Sequence, residues 1–181
     1  MNFKIEILQV ENKFILMNLV KIHLTAFEKF NLRSWNYSDF SDFLNSSSKI
    51  FYYESNNKIL GFVVVNFNSD FNEIITIAVD KIYQRKKIGK ILLEYIINYF
   101  KSKKDLYLEV AKNNYQAINF YKKNGFKIIA ERKKYYSICR GKNKGARVDA
   151  LVMKLPNKDI IFNNNIKIIF IYIINFNNFI I

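Results

Sequence analysis

Cysteine, histidine, tryptophan and proline each occur once in this 181-residue chain. A lone Cys139 cannot form an internal disulfide. With His23 as the only histidine, no Cys/His cluster has metal-ligand spacing, so no metal is expected. Any mechanism built on a histidine base has His23 as its one candidate. Long apolar runs are scarce as well. The longest in the C-terminal tail is the seven residues Ile168 to Ile174, bounded by Lys167 and Asn175. That is far short of the ~20 residues that cross a bilayer as a helix. Lys4, Glu6, Glu11 and Lys13 interrupt any signal-peptide apolar region, so a cytoplasmic protein with no transmembrane span is expected. Acid is in short supply too: 15 Asp and Glu against 29 Lys and Arg leave a net charge of +14.

What is present is the composition of a folded domain. Half of the residues are hydrophobic and 24% are charged. The basic balance fits affinity for RNA or a ribosome. An abundance of Lys, Ile and Asn with little Pro also fits an AT-rich coding sequence. Phe3, Ile5 and Ile7 alternate with Lys4, Glu6 and Leu8, which suggests a first strand. Leu16, Leu19, Val20, Leu24 and Phe27 recur at helical spacing over positions 13–29. Asn36 can cap a short second helix carrying Phe40, Phe43 and Leu44. KIFYYES, the turn Asn56-Asn57 and ILGFVVVNF read as a hairpin, and a strand follows over about 71–79. The third helix is expected from Gly89 to about Lys101, with Ile91, Leu92, Tyr95, Ile96 and Tyr99 inward. A strand over 106–111, a helix over 114–124 ended by Gly125, and two final strands complete the order β-α-α-β-β-β-α-β-α-β-β. The organisation is one α/β domain over 1–156 and an Ile/Asn/Phe-rich extension over 157–181.

The segment from Ile74 to Phe126 carries the chemistry. A strand ending IITIAVD runs into a basic turn and a helix, where free backbone N–H groups and the helix dipole favour an anion. This segment resembles the acetyl-CoA-binding core of the GNAT superfamily of N-acetyltransferases, and the element order matches that fold over about 3–155. The resemblance implies a mixed, mostly antiparallel seven-stranded sheet flanked by four helices, with acetyl-CoA as co-substrate. The turn pattern of the superfamily is Gln/Arg-x-x-Gly-x-Gly/Ala. Here it reads Gln84-Arg85-Lys86-Lys87-Ile88-Gly89, followed by Lys90, so Lys87 replaces the first glycine. By the same resemblance Ile77, Ala78 and Val79 offer backbone groups to the pantetheine and acetyl moieties, and Asn114 contacts the cofactor. Read locally, the first three are a buried strand and Asn114 is a helix cap.

Amine attack on a thioester needs a neutral amine, a place for negative charge and a proton for the departing thiolate. Glu109 lies within the apolar run LYLEVA, where a carboxylate can serve as general base or as a paired structural acid. Tyr121 shares a helix face with Asn114, Ala117 and Ile118. A phenol there is a weaker acid than a thiol, so proton donation needs tuning, or the group serves as a hydrogen-bond donor. The run from Leu106 to Tyr136 resembles the RimI branch, which acetylates the N-terminal alanine of a small-subunit ribosomal protein. That resemblance makes Glu109 the proton acceptor and Tyr121 the proton donor, and lets Tyr135 and Tyr136 line a peptide channel. Glu73 stands second as the base used by position in other GNAT enzymes. The competing readings are acetylation of lysines or small-molecule amines, and a non-catalytic ribosome- or RNA-binding module. The patch for the latter would be Arg132, Lys133 and Lys134 with Arg140, Lys142, Lys144 and Arg147.

Overall fold

A computed structural model describes residues 3–100 and 104–156. The extension over 157–181 lies outside the described residues. β1 (Phe3–Leu8) leads to α1 (Lys13–Phe27), whose start is fixed by Asn12: its side chain accepts the Ile15 N–H at 3.1 Å. α2 (Tyr37–Leu44) begins with a capping box in which Asn36 and Asp39 each accept the other's backbone N–H. β2 (Ser48–Ser55) and β3 (Lys58–Phe67) are joined at Asn56 and Asn57, with φ of 51° and 58°. Two successive positive φ angles are what a two-residue hairpin turn of matching twist requires. β4 (Asn72–Val79), α3 (Ile88–Tyr99), β5 (Leu106–Ala111), α4 (Tyr115–Lys123), β6 (Lys127–Ser137) and β7 (Arg147–Leu155) complete the chain.

The strands form one sheet in the order β1-β2-β3-β4-β5-β7-β6. Only β4 and β5 run parallel, so the sheet is mixed and mostly antiparallel, with four helices about it. One core cluster packs α3 and α4 against one face through Phe51, Val63, Leu92, Ile96, Leu108 and Tyr121. The other packs α1 and α2 against the opposite face through Leu16, Leu19, Phe40, Ile50 and Phe62. Gly61 on β3 sets how closely α3 approaches. A Cβ there would stand 2.9 Å from the Ala78 carbonyl oxygen and 3.3 Å from Ile88 and Leu92 side-chain atoms.

Two helical faces differ from the sequence expectation. α1 buries Leu16, Leu19, Ile22 and His23, while Leu24 is 41% exposed. α3 starts at Ile88 and buries Ile88, Leu92, Leu93 and Ile96, while Tyr99 is 41% exposed. Both helices are apolar on more than one side, so hydrophobic spacing alone does not choose the stripe; the facing sheet does. Tyr99 in the last turn of α3 instead leans its ring on Phe51 at 5.0 Å. β1 likewise lacks clean alternation, because an edge strand leaves Phe3 half exposed and buries Leu8 at its inner end.

Candidate active site

The site starts from an irregularity in β4. Val64 of β3 faces Thr76 and Val65 faces Ile74, so Ile75 is an extra residue, a β-bulge. The bulge lets Ile74, Ile77 and Val79 all pack toward α3, while Ile75 and Ala78 pack toward α1. It also bends β4 away from β5. The parallel ladder holds only from Asn72–Leu106 through Ile74–Leu108, and beyond that the strands diverge. The Asp80 N–H donates to the Leu60 carbonyl at 2.9 Å, toward β3. Alternation along a strand therefore turns the amide of Val79 to the opposite side, into the divergence. The Gln84 side-chain amide agrees with that direction, donating to the Val79 carbonyl at 3.1 Å. Through this bond Gln84 ties the turn to the end of β4.

The turn after β4 is wound by two left-handed residues that are not glycine, Arg85 at φ 66° and Lys87 at φ 65°. Lys87 is the residue immediately before α3. A lysine in the place of the family glycine therefore keeps the glycine's backbone conformation, at the strain cost of a Cβ there. Gly89 is different. A Cβ added to it would lie 3.7 Å from Val79 and 3.9 Å from Phe120, ordinary contact distances. Packing within the chain leaves room for a side chain at Gly89. Arg85, Lys86, Lys87 and Lys90 surround this turn; Lys90 pairs with Glu94 at 3.5 Å, and Lys86 lies 5.0 Å from the Tyr83 ring centroid. The residues present fit a cofactor with an acidic pyrophosphate and an amide-bearing arm: cations and α3 N–H groups at the turn, and β4 amides in the divergence.

Asn114 caps α4, its side chain accepting the Ala117 N–H at 3.1 Å. Its local reading as a cap is thus realised, and its side-chain NH2 is the group that remains for a ligand. Tyr121, near the other end of α4, is buried beneath the helix. Burial and the neighbouring Tyr136 phenol push the Tyr121 hydroxyl well above the usual tyrosine range. The Tyr136 hydroxyl is raised in the same way, by burial first and then by the charge of Glu109, with Tyr135 and Glu73 behind it. Tyr121 thus lies near Tyr136, and Tyr136 near Glu109, which follows directly on the last β4–β5 pair.

Glu109 on β5 is clamped by Arg132 of β6, whose Nη1 lies 2.6 Å from its Oε1. Between Arg132 and Tyr136 the β6–β7 register shifts, with Lys134 left-handed at φ 50°. This irregularity sets the Tyr135 ring 3.9 Å from the Arg132 guanidinium and 4.9 Å from the Tyr136 ring. Glu109, Arg132 and Glu73 line an open cavity of about 440 Å³, with Phe71, Tyr107 and Val152 around them. The carboxyl raised within this cavity is Glu73, by burial first and by the charge of Glu109 second. The Glu73 side chain makes no hydrogen bond or close ion pair among the described residues, and the charge of Arg132 only partly opposes its shift.

His23 is removed from this chemistry. It lies buried between Trp35 and Phe27, with rings at 4.6 and 4.7 Å, and its Nδ1 accepts the Trp35 N–H at 3.3 Å. Burial pushes it down to about 4. Cys139 is exposed in the β6–β7 loop, where its N–H donates to the Asn31 carbonyl at 2.8 Å. No group of three or more candidate metal ligands occurs among the described residues. No described helix is long and apolar enough to cross a membrane. Of the residues singled out in the sequence, Glu109, Tyr135 and Tyr136 lie together, Tyr121 adjoins Tyr136, and the turn at 84–90 stands at the end of β4. Spacing gave no sign of Arg132 as the partner of Glu109, because its only sequence signal is a basic run, and the family resemblance put Glu73 second to Glu109 as base.

The Acetyltransferase (GNAT) family matches residues 16–126, more than half of the chain. The chain belongs to that family. It is 35% identical over 103 residues to the [ribosomal protein bS18]-alanine N-acetyltransferase of Escherichia coli K12, a match covering 56% of this chain and 66% of that protein. The match to this curated relative thus spans slightly less than two thirds of its length. The crystal structure of the ribosomal-protein-S18-alanine N-acetyltransferase from Escherichia coli superimposes with a TM-score of 0.71 at 26% identity, over 91% of this chain and 99% of that one. A GNAT family acetyltransferase from Elizabethkingia anophelis, with acetyl-CoA bound, shares the fold at a TM-score of 0.64 and 21% identity, over 86% and 98% of the two chains.

Proposed function

We propose that the chain is an acetyl-CoA-dependent protein N-α-acetyltransferase whose acceptor is the N-terminal alanine of a small-subunit ribosomal protein. The observation that supports this reading is the Glu109 carboxylate, one residue beyond the last pair of β4 and β5 and held by Arg132 at 2.6 Å. Acetyl-CoA supplies the activated thioester. Its phosphates fall to the α3 N–H groups and to Arg85, Lys86, Lys87 and Lys90, with Ile88 and Gly89 forming the first helical turn. Its arm pairs with β4 at Ile77, Ala78 and Val79, and the side-chain NH2 of Asn114 lies at the rim of the site. The Val79 N–H stabilises negative charge developing on the thioester oxygen.

Glu109 accepts the proton of the attacking amine, with Arg132 holding the carboxylate in place. An α-amine with pKa ~7.7–8.0 is roughly 10–20% neutral at pH 7, against well under ~0.1% for a lysine at ~10.4. A modest base suffices for the former. Tyr121 acts at the leaving sulfur as a hydrogen-bond donor. Its raised phenol is a poorer acid than a thiol at ~8.5, so full proton transfer from it runs uphill. This narrows the donor role expected from the resemblance. Tyr135 and Tyr136 flank the entering peptide. The proposed setting is the cytoplasm, where ribosomal proteins are made.

A panel of peptides with free and with blocked N-termini tests the reading. Acetylation confined to free N-termini is expected. Equal rates on blocked, lysine-containing peptides would overturn it in favour of lysine chemistry, and no transfer to any amine would overturn it in favour of a binding module.

A further inference from the structure

The acceptor cavity holds more charge than the transfer step uses. Two carboxyls, Glu73 and Glu109, line it together with one guanidinium, Arg132. Arg132 is committed to Glu109 at 2.6 Å. The other cation close by, Lys154, is committed to Asp105 at 2.6 Å, with its Nζ 5.5 Å from the Tyr107 ring centroid. Glu73 is left as the one carboxyl of the cavity whose side chain makes no hydrogen bond or close ion pair among the described residues, with Arg132 acting on it only at longer range. Its backbone pairs with Tyr107, two residues before Glu109 on β5. The cavity therefore extends from Glu109 by about 7 Å, two residues' rise, toward the paired end of the strands. There Phe71 and Tyr107 pack edge to face at 5.2 Å. A carboxylate beside aromatic rings is a recognition site for an organic cation: the carboxylate supplies the ion pair and the Phe71 ring supplies cation–π contact, the Tyr107 ring being already met by Lys154.

We propose that this end of the cavity binds a lysine or arginine side chain within the first three residues of the acceptor, so that Glu73 is a specificity-determining residue. The inference rests on the proposed N-terminal acetylation. With the α-amine at Glu109, the next side chains of an extended peptide reach Glu73 and Phe71. Burial and the charge of Glu109 raise the Glu73 carboxyl against the opposing charge of Arg132, and a cationic ligand would complete that partial compensation.

Steady-state kinetics on hexapeptides with a free N-terminal alanine tests the proposal, with arginine, citrulline or glutamate at position two or three. Citrulline keeps the shape of arginine and removes the charge. The arginine peptide should exceed the citrulline peptide in kcat/KM by about ten- to a hundredfold, mainly through KM, as expected for one charged hydrogen-bonded contact. In Glu73→Gln the ratio of the two peptides should fall to about one. In Glu73→Lys the glutamate peptide should become the preferred one. Because each readout is a ratio within one protein sample, a loss of folded protein does not mimic the result. An arginine-to-citrulline ratio unchanged by Glu73→Gln would overturn the proposal. So would an equal fall in kcat for all peptides in that variant, which would assign Glu73 to proton transfer. Failure of wild-type protein to acetylate any free N-terminus would instead strike the parent reading.

Discussion

At the residue scale, Glu109 and Tyr121 carry unequal burdens. Glu109→Gln keeps the shape, can still accept a hydrogen bond from Arg132 and removes the base, so kcat should fall by about 10²–10⁴. Tyr121→Phe removes one hydrogen-bond donor, and a fall of about ten- to a hundredfold is expected. Acetyl-CoA affinity measured by calorimetry should hold in both. Lys87 makes a different kind of claim. Its φ of 65° is a conformation that glycine adopts freely, so Lys87→Gly should raise the melting temperature of the ligand-free protein by a few degrees, about 1 kcal/mol. Removing its charge should weaken acetyl-CoA binding at the same time. A drop in melting temperature would show that the turn is not strained. The sequence named these residues because their types are those the chemistry needs. Arg132 escaped it because a guanidinium in the run Arg132-Lys133-Lys134 looks like any solvated charge. Only the β6 irregularity, invisible in one-dimensional spacing, turns it onto Glu109.

At the element scale, the site depends on one bend and one close approach. The extra residue Ile75 makes β4 part from β5, and the run Ile74-Ile75-Thr76-Ile77 gives no warning of it. The close approach at Gly61 is equally silent in sequence. Gly61→Ala must push a methyl against the Ala78 carbonyl, a backbone atom that cannot swing aside, and should destabilise the fold by about 1–3 kcal/mol in denaturant titration. Helix caps at Asn36 and Asn114 were legible because capping is a local matter, while the buried face of α1 was not. That face holds His23, kept neutral by burial and depressed to about 4 from 6.5. The unfolded chain takes up this proton first as pH falls below about 6.5. The neutral residue's stabilising contribution is therefore present above that pH and is lost progressively down to about pH 4. At 1.36 kcal/mol per unit the full loss is about 3 kcal/mol. Thermal melts across that window should show it, and a His23→Leu variant should lack that component of the slope.

At the scale of the whole molecule, the element order and the mixed sheet followed from sequence pattern and resemblance together, since strand–helix alternation constrains topology strongly. Charge did not separate the functional readings. Two of the seven basic residues of the patch read from sequence are paired in the fold: Arg132 with Glu109, and Lys133 with Glu131 and Asp149. The cations of the turn before α3 belong to the proposed cofactor side, which makes acetyl-CoA affinity dependent on ionic strength. The central claim is that the divergence of β4 from β5 and the turn at 84–90 hold the thioester. Isothermal titration calorimetry of acetyl-CoA into the folded full-length chain, at low and at high salt, tests it most directly. Saturable one-to-one binding that weakens as salt rises is expected, and folded protein that gives no binding heat at either salt, at several temperatures, would contradict it.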